Sequence, residues 1–286
     1  MTVFTAGTFP QRRRAGGTVV YVGFEHHDYA EDIETRETAG TPPILQTIKA
    51  ALAMEVKEKI GLRTIARRER ENLAYFLDKL SQINEIRLVG HYDAEALTSI
   101  VSFNIGHDGR ILHPKFVTKL LNDLFGIQSR DGCSCAGPYG HILLGIDRPT
   151  SDRLRRLISR GWQGIKPGWV RVNIHYTLTR GDIDFLLRAI AFVAEHGHLF
   201  LHEYGFDFRT GEWRHLGFKD KEPRLSLESD FGGPGADLSR IKTIRASYLR
   251  QARQAAQALE KRGAPRRLYD PEEVEGLKFF YYAHRV

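Results

Sequence analysis

LLNDLFGIQSRDGCSCAGPYGHILLG, residues 120–145, is the stretch that decides the fold and the chemistry of this chain. It holds both cysteines, Cys133 and Cys135, shortly after Arg130. Glycines and a proline surround the thiols, between an amphipathic apolar run and the apolar residues ILLG. A polar, glycine-rich loop between two packing segments is where proteins commonly place binding and catalytic groups. The stretch therefore predicts a site that handles an anion, sulfur or a metal ion.

The two cysteines have three interpretations on local grounds. A thiol near positive charge in an exposed loop is a reactive thiolate, whereas free cysteines more often pack as small buried hydrophobes. A metal site would combine Cys133, Cys135 and His141, but the chain has no further cysteine and structural zinc usually takes four ligands. We therefore expect no metal, and the local sequence leaves the thiols open between chemistry and packing.

Length and composition bound the class of protein. The chain has 286 residues, 42% of them hydrophobic, which suffices for one large domain or two ordinary ones. Its net charge is +7, but the basic residues are dispersed, so we expect no specific nucleic-acid partner. No apolar run has the length of a membrane span, and no signal peptide is recognisable. Two cysteines at this spacing do not form a disulfide framework. The expected compartment is therefore the reducing cytoplasm.

Strand and helix patterns alternate along the chain, which predicts an α/β fold. Strands are expected at residues 18–24, 85–90, 98–106 and 168–176. Helices are expected at residues 44–60, 62–82, 113–124, 139–144, 149–160, 180–196 and 239–263. In the last helix the expected apolar stripe is Ile241, Ile244, Tyr248, Ala255 and Leu259. Residues 25–43 show no clear period, and the C-terminal HRV has no expected structural role.

Two arginines and one helix start are further candidate binding residues. Arg171 lies inside the expected strand WVRVNI, where an arginine is costly to bury without a partner. Arg130 and Arg171 therefore either clamp a carboxylate or phosphate, which suits guanidinium geometry, or form structural ion pairs. Gly40 and Thr41 precede a helix that opens at Pro42-Pro43. Thr41 as a helix cap is the favoured interpretation there, and phosphate binding by the free amides is the alternative.

Five segments of the chain together resemble a known family. In order they are GGTVVYV (16–22), ETRETAGTPPILQTIKAALA (34–53), SIVSFNI (99–105), LHPKFVTKLLNDLFGIQSRDGCSCAGPYGHILLGI (112–146) and KPGWVRVNIHYT (166–177). The series resembles the C-terminal half of the class V aminotransferases over roughly residues 15–215. That family contains fold-type I enzymes that use pyridoxal 5′-phosphate, among them cysteine desulfurases and selenocysteine lyases. The resemblance therefore implies an enzyme that acts on an amino acid.

The resemblance also implies roles for individual residues. Arg171 matches the arginine that binds the α-carboxylate of the amino-acid substrate, and Arg130 matches the arginine that opens the active-site loop. Gly40 and Thr41 match the motif that reaches the cofactor phosphate of the other subunit, so a homodimer is expected. Cys135 matches the cysteine that accepts sulfur as a persulfide in desulfurases. Cys133 is an additional thiol relative to that pattern.

The resemblance predicts a division into four parts. Residues 1–83 correspond to a partial large-domain segment with an arm, a strand and long helices. Residues 84–215 correspond to the C-terminal α/β small domain. A linker at 216–237 and a helical tail at 238–286 follow, and both lie outside the resemblance.

The family's Schiff-base lysine has no counterpart that we recognise in this chain. That lysine, the aspartate at the pyridine nitrogen and the aromatic residue on the ring all precede the GGTV strand in the family. We therefore expect the C-terminal portion of a longer enzyme, inactive by itself, performing amino transfer or desulfurase and lyase chemistry in the complete protein. The alternative is a non-catalytic, dimerising scaffold or a redox or metal-binding domain derived from that fold.

Overall fold

The computed structural model describes residues 16–90, 98–132, 137–219 and 240–286. The α-helices of these residues are α1 (Ile33–Glu37), α2 (Ile44–Ile60), α3 (Leu62–Leu80), α4 (Pro114–Phe125), α5 (Gly137–Leu143), α6 (Arg148–Ser159), α7 (Arg180–His196), α8 (Ile241–Glu260) and α9 (Glu272–Glu275). The strands are β1 (Val19–Val22), β2 (His27–Tyr29), β3 (Ile86–Leu88), β4 (Ile100–His107), β5 (Arg110–Ile111), β6 (Val170–Asn173), β7 (Tyr204–Asp207), β8 (Glu212–His215) and β9 (His284–Arg285). None of these helices combines the length and the hydropathy needed to cross a membrane.

The chain forms two compact units, of which the first ends at Thr64 and the second begins at Ile65. In the first unit, β1 and β2 form an antiparallel pair, followed by α1 and α2. Residues 25–43 have no hydrophobic periodicity, so β2 and α1 were not predicted from the sequence. No residue of α2 is buried. Its exposed apolar side chains are Ile44, Leu45, Ile48, Leu52, Met54, Val56 and Ile60.

We expect the protein to self-associate through α2, because an apolar patch of this size is rare on soluble monomers. Ile48 and Leu52 lie one helical turn apart and are 51% and 55% exposed. The double change Ile48→Glu and Leu52→Glu should shift the protein to a smaller species in light scattering. Lys57→Glu is the control, because it alters the net charge by the same two units and leaves the apolar residues in place. A monodisperse wild-type monomer would contradict the expectation.

An antiparallel sheet organises the second unit. Strand β4 pairs with β3 on one side and with β6 in a register that sets Ser102 opposite Arg171. Alternate β4 residues Val101, Phe103 and Ile105 are fully buried in the core, as their spacing predicts. Helices α3, α4 and α7 contribute buried residues to the same core. The opposite face of the sheet therefore carries the polar residues of β4 and β6.

The C-terminal residues complete a second sheet, which the sequence did not predict. Strand β7 pairs antiparallel with β8 and parallel with β9, which is formed by His284 and Arg285. Phe280 and Tyr282, just before β9, are fully buried. The expectation that the terminal HRV has no structural role is therefore wrong, because a two-residue strand depends on its partner and not on local periodicity.

Local signals at the helix ends are confirmed at α4 and α7 but not at α2. His113 caps α4, which stops at Gly126 with a left-handed φ of 66°. Thr179 caps α7 in a full capping box with Asp182. Helix α2 begins after Pro43 and has no side-chain cap. Thr41 is therefore not the cap of that helix, because the two prolines separate it from the first helical residue.

Helix α8 lies within the expected range of 239–263, at Ile241–Glu260, but buries a different face. Its buried residues are Leu249, Ala252, Ala256 and Leu259. Of the expected stripe, Ile244 and Tyr248 stay 42% and 37% exposed. The expected apolar stripe is therefore wrong for the first turns of the helix, where these side chains lie beside a cleft instead of the core.

Candidate active site

Arg130 and Arg171 lie opposite each other on neighbouring extended segments. The Arg130 N–H donates to the Arg171 carbonyl at 3.0 Å, and the Arg171 N–H donates to the Arg130 carbonyl at 2.7 Å. Antiparallel residues that exchange both hydrogen bonds carry their side chains on the same face. The fold thus brings together two arginines that the sequence identified separately, and it does so through the backbone.

A cleft with a volume of about 760 Å³ opens beside this pair. Its walls come from β6, from residues 125–130 after α4, from the start of α7 and from the start of α8. Arg171 is half-buried in it and Arg130 is exposed. Ser129 adds a buried hydroxyl that has no hydrogen-bond partner among the described residues. The cleft therefore offers two guanidinium groups to an anionic ligand.

Asp182 fixes the wall of the cleft where α7 begins. Its Oδ2 accepts from the Thr179 N–H at 2.7 Å and from Thr179 Oγ1 at 2.6 Å. The Arg245 guanidinium lies 2.6 Å from its Oδ1. Burial raises the pKa of Asp182, but the hydrogen bonds from Thr179 and Arg245 outweigh burial and leave the pKa below its ordinary value. The carboxylate is therefore charged at neutral pH and holds structure, which makes it unsuited to act as a general base.

Helix α8 supplies residues that sequence reasoning did not assign to the site. Ile241, Ile244, Arg245 and Tyr248 line the same cleft as Arg130 and Arg171. The apolar stripe in the sequence contained three of them, but its helical spacing indicated core packing. Their position at the cleft depends on how α8 packs on the other elements of the second unit, which local spacing does not encode.

The glycine-rich loop leads to a second cleft of about 590 Å³, lined by Asp131, Gly132, His141 and Ser151 among others. His141 Nδ1 lies 2.7 Å from the Gly137 carbonyl, and its Nε2 lies 3.1 Å from Ser151 Oγ. Both ring nitrogens therefore have partners, and the contact with Ser151 ties α5 to α6. Within the described ranges, no three metal-binding side chains cluster.

Cys133 and Cys135 lie outside the described residues, since residues 133–136 are not among them. Their roles as a persulfide acceptor, as packing residues or as metal ligands stay predictions.

Gly40 and Thr41 belong to the first unit. Gly40 has a φ of +85°, a conformation that favours glycine, and no atom lies within 4 Å of where its Cβ would be. Its N–H donates to the Gly16 carbonyl at 2.8 Å, and Thr41 is exposed. The backbone here is open to an approaching group, and contact with a cofactor phosphate stays a prediction.

Comparison with known proteins relates the chain to one family. The model of the family described as aminotransferase class-V matches residues 6–186. A "probable cysteine desulfurase" from Streptomyces coelicolor is 28% identical over 123 residues, which cover 43% of this chain and 28% of the relative. A "probable cysteine desulfurase" from Halalkalibacterium halodurans is 27% identical over 187 residues, which cover 65% of this chain and 39% of the relative. The chain thus spans less than half the length of these curated relatives.

Solved structures include a further similar chain. The apo structure of a cysteine desulfurase from Thermococcus onnurineus NA1 is 26% identical, and the match covers 64% of this chain and 38% of that one with a TM-score of 0.46. The match to the family model, in contrast, extends over well more than half of the chain. This chain therefore belongs to the aminotransferase class-V family, whose members are fold-type I enzymes that depend on pyridoxal 5′-phosphate.

Proposed function

We propose that this chain provides the substrate-carboxylate side of an enzyme that acts on an amino acid, by amino transfer or by cysteine desulfurase or lyase chemistry. The observation that carries the proposal is the backbone pairing of Arg130 with Arg171, both of which line the 760 Å³ cleft. A guanidinium donates two parallel hydrogen bonds to a carboxylate, which binds and orients it. Arg171, half-buried on a sheet strand, is placed to hold that carboxylate in one orientation.

The described residues of the cleft do not fit the cofactor itself. Its covalent attachment requires a lysine, and no lysine lines this cleft within the described ranges. Lys278, whose side chain is buried, is held 2.7 Å from both Asp270 and Glu275 and is unsuited to that role. We propose that residues outside this chain supply the lysine and the remaining contacts to the ring.

Three further roles belong to the same proposal. Cys135 accepts sulfur if the reaction is a desulfuration, which its place in the loop after Arg130 supports. Gly40 and Thr41 contact the cofactor phosphate of a partner subunit in a homodimer, which the open backbone at Gly40 supports. The enzyme works in the cytoplasm, in keeping with a chain whose two cysteines are no disulfide framework.

Loss of the α-proton of the substrate tests the proposal without assuming one reaction type. The protein from its full reading frame is incubated in deuterium oxide with pyridoxal 5′-phosphate and each common amino acid, and exchange at Cα is followed by NMR. L-Cysteine is also assayed for sulfide and alanine. We expect exchange with at least one amino acid. A protein that binds the cofactor but exchanges none would favour the non-catalytic scaffold.

Reduction with borohydride tests the position of the lysine. In the protein from its full reading frame, the reduced cofactor should be attached to a lysine outside residues 1–286, as read by peptide mass spectrometry. Attachment to a lysine within this chain would contradict that part of the proposal and leave the carboxylate role of Arg171 intact.

A further inference from the structure

Helix α8 lies beyond residue 186, where the match to the family model ends, and yet it forms one wall of the cleft. The residues it places there are Ile241, Ile244, Arg245 and Tyr248. The cleft of this chain therefore has a wall outside the matched family segment. Residues in such a position are suited to determine which substrate the cleft accepts.

The wall is held firmly against the rest of the second unit. Arg245 lies 2.6 Å from Asp182 and its guanidinium carbon lies 5.0 Å from the centre of the Phe185 ring. Farther along the helix, Leu249, Ala252, Ala256 and Leu259 are buried in the core. Because the far end of the helix packs in the core and an ion pair fixes Arg245 near its start, the side chains beside Arg245, Ile244 and Tyr248, keep a defined position.

The charges on this wall are already compensated. The cation of Arg245 is paired with Oδ1 of Asp182. The other carboxylate oxygen, Oδ2, accepts hydrogen bonds from Thr179. The wall thus brings no uncompensated charge to a ligand. A charged side chain that packs against this wall would lose hydration without gaining an opposite charge from the wall, which is unfavourable.

The rest of the wall is largely apolar, and its side chains are partly exposed to solvent. Ile244 is 42% exposed and Tyr248 is 37% exposed, and Ile100 of β4, which lines the same cleft, is 41% exposed. Covering such surface with another apolar group is favourable in proportion to the area removed from water. The cleft thus combines arginines that suit a carboxylate with apolar groups that suit a hydrocarbon side chain.

We propose that the first turns of α8 select amino acids with apolar side chains, with Ile244 and Tyr248 covering the side chain while Arg171 holds the carboxylate. The inference rests on the proposed function, because it takes the ligand to be an amino acid bound through Arg171. It adds the substrate class, and it assigns that choice to residues beyond the matched family segment.

Binding measured by calorimetry on the purified protein tests the inference, with L-leucine, L-alanine and L-glutamate as probes. We expect L-leucine to bind at least about tenfold more tightly than L-alanine, since a few extra methylenes in an apolar pocket give discrimination of that order. In Arg130→Ala, which removes the second guanidinium of the cleft, L-glutamate should bind no better than L-alanine. Ile244→Ser should bring L-leucine close to L-alanine while L-alanine binding stays the same. Arg253→Ala, on an exposed part of α8, is the matched control and should change nothing.

The outcomes separate the two proposals. Equal binding of L-leucine and L-alanine, or a preference that survives Ile244→Ser and Tyr248→Ser, would overturn the role of α8 while leaving an Arg171-dependent amino-acid site. Binding that is indifferent to Arg171→Ala, or no binding of any probe, would overturn the proposed function and the inference with it. Circular dichroism of each variant shows whether the fold is kept, which is expected because Ile244 and Tyr248 are partly exposed.

Discussion

Arg171→Ala will lower kcat/KM for the amino-acid substrate about 100-fold. The change removes a charge-assisted, two-pronged contact to the carboxylate, and losing one partner of such a pair costs on the order of 2–5 kcal/mol. Each 1.36 kcal/mol corresponds to a factor of about ten in rate. The backbone hydrogen bonds between Arg171 and Arg130 do not involve the side chain, so the local fold should persist. Steady-state kinetics with the substrate found by α-proton exchange give the measurement.

Matched variants separate recognition of the carboxylate from damage to the fold. Arg171→Lys keeps the charge but not the planar fork, so its activity should lie between wild type and Arg171→Ala. Arg253→Ala removes an exposed arginine of α8 and should leave kcat/KM unchanged. A substrate amide without the carboxylate should respond little to Arg171→Ala. A kcat/KM for Arg171→Ala within twofold of wild type would rule out the proposed clamp.

The sequence predicted those parts of the fold whose signals are local. Pro114 and Gly126 delimit α4 and Thr179 begins α7, because caps and stops act within one helical turn. The burial of Val101, Phe103 and Ile105 follows from the two-residue period of a strand. At these positions neighbouring residues carry enough information to determine the structure.

Features that depend on residues far apart in the chain could not be predicted from the sequence. Arg130 and Arg171 are about forty residues apart, and their pairing depends on the register of two segments. The residues of β9 form a strand because β7 offers them a free edge. Ile244 and Tyr248 have the helical spacing of core residues but lie at the cleft, because the docking of α8 turns a different face to the core. Local patterns thus identified candidate groups, and tertiary packing decided which of them share a site.

Acidification from pH 7 to pH 5 should cost the protein about 2 kcal/mol of unfolding free energy through His113 alone. His113 is buried at the start of α4, and burial lowers its pKa to about 3. Its Nδ1 accepts from the Lys115 N–H at 3.2 Å, and its Nε2 lies 3.1 Å from the Gly164 carbonyl, which together define the neutral Nε2–H tautomer. Protonation would remove the acceptor for Lys115 and charge a buried ring.

The sign of this pH dependence follows from the two pKa values. The unfolded chain takes up a proton at His113 near pH 6.5, whereas the folded protein does so only near pH 3. The contribution to stability is therefore complete above pH 6.5 and is lost progressively as the pH falls toward 3. His113→Gln keeps a polar side chain at the cap but cannot titrate. Its unfolding free energy should be lower than that of wild type at pH 7. The difference between the two proteins should shrink by about 2 kcal/mol at pH 5.

Urea unfolding of both proteins at pH 7, 6 and 5 gives the comparison. His198, whose pKa burial lowers to about 4, titrates in the same direction and is present in both proteins, so its effect cancels in the difference. Gln251→Ala, an exposed change that involves no titratable group, should run parallel to wild type over the whole range. If His113→Gln also ran parallel to wild type, the ring at position 113 would be accessible to protons, and the packing of α4 against residues 163–165 would be looser than the Gly164 contact indicates.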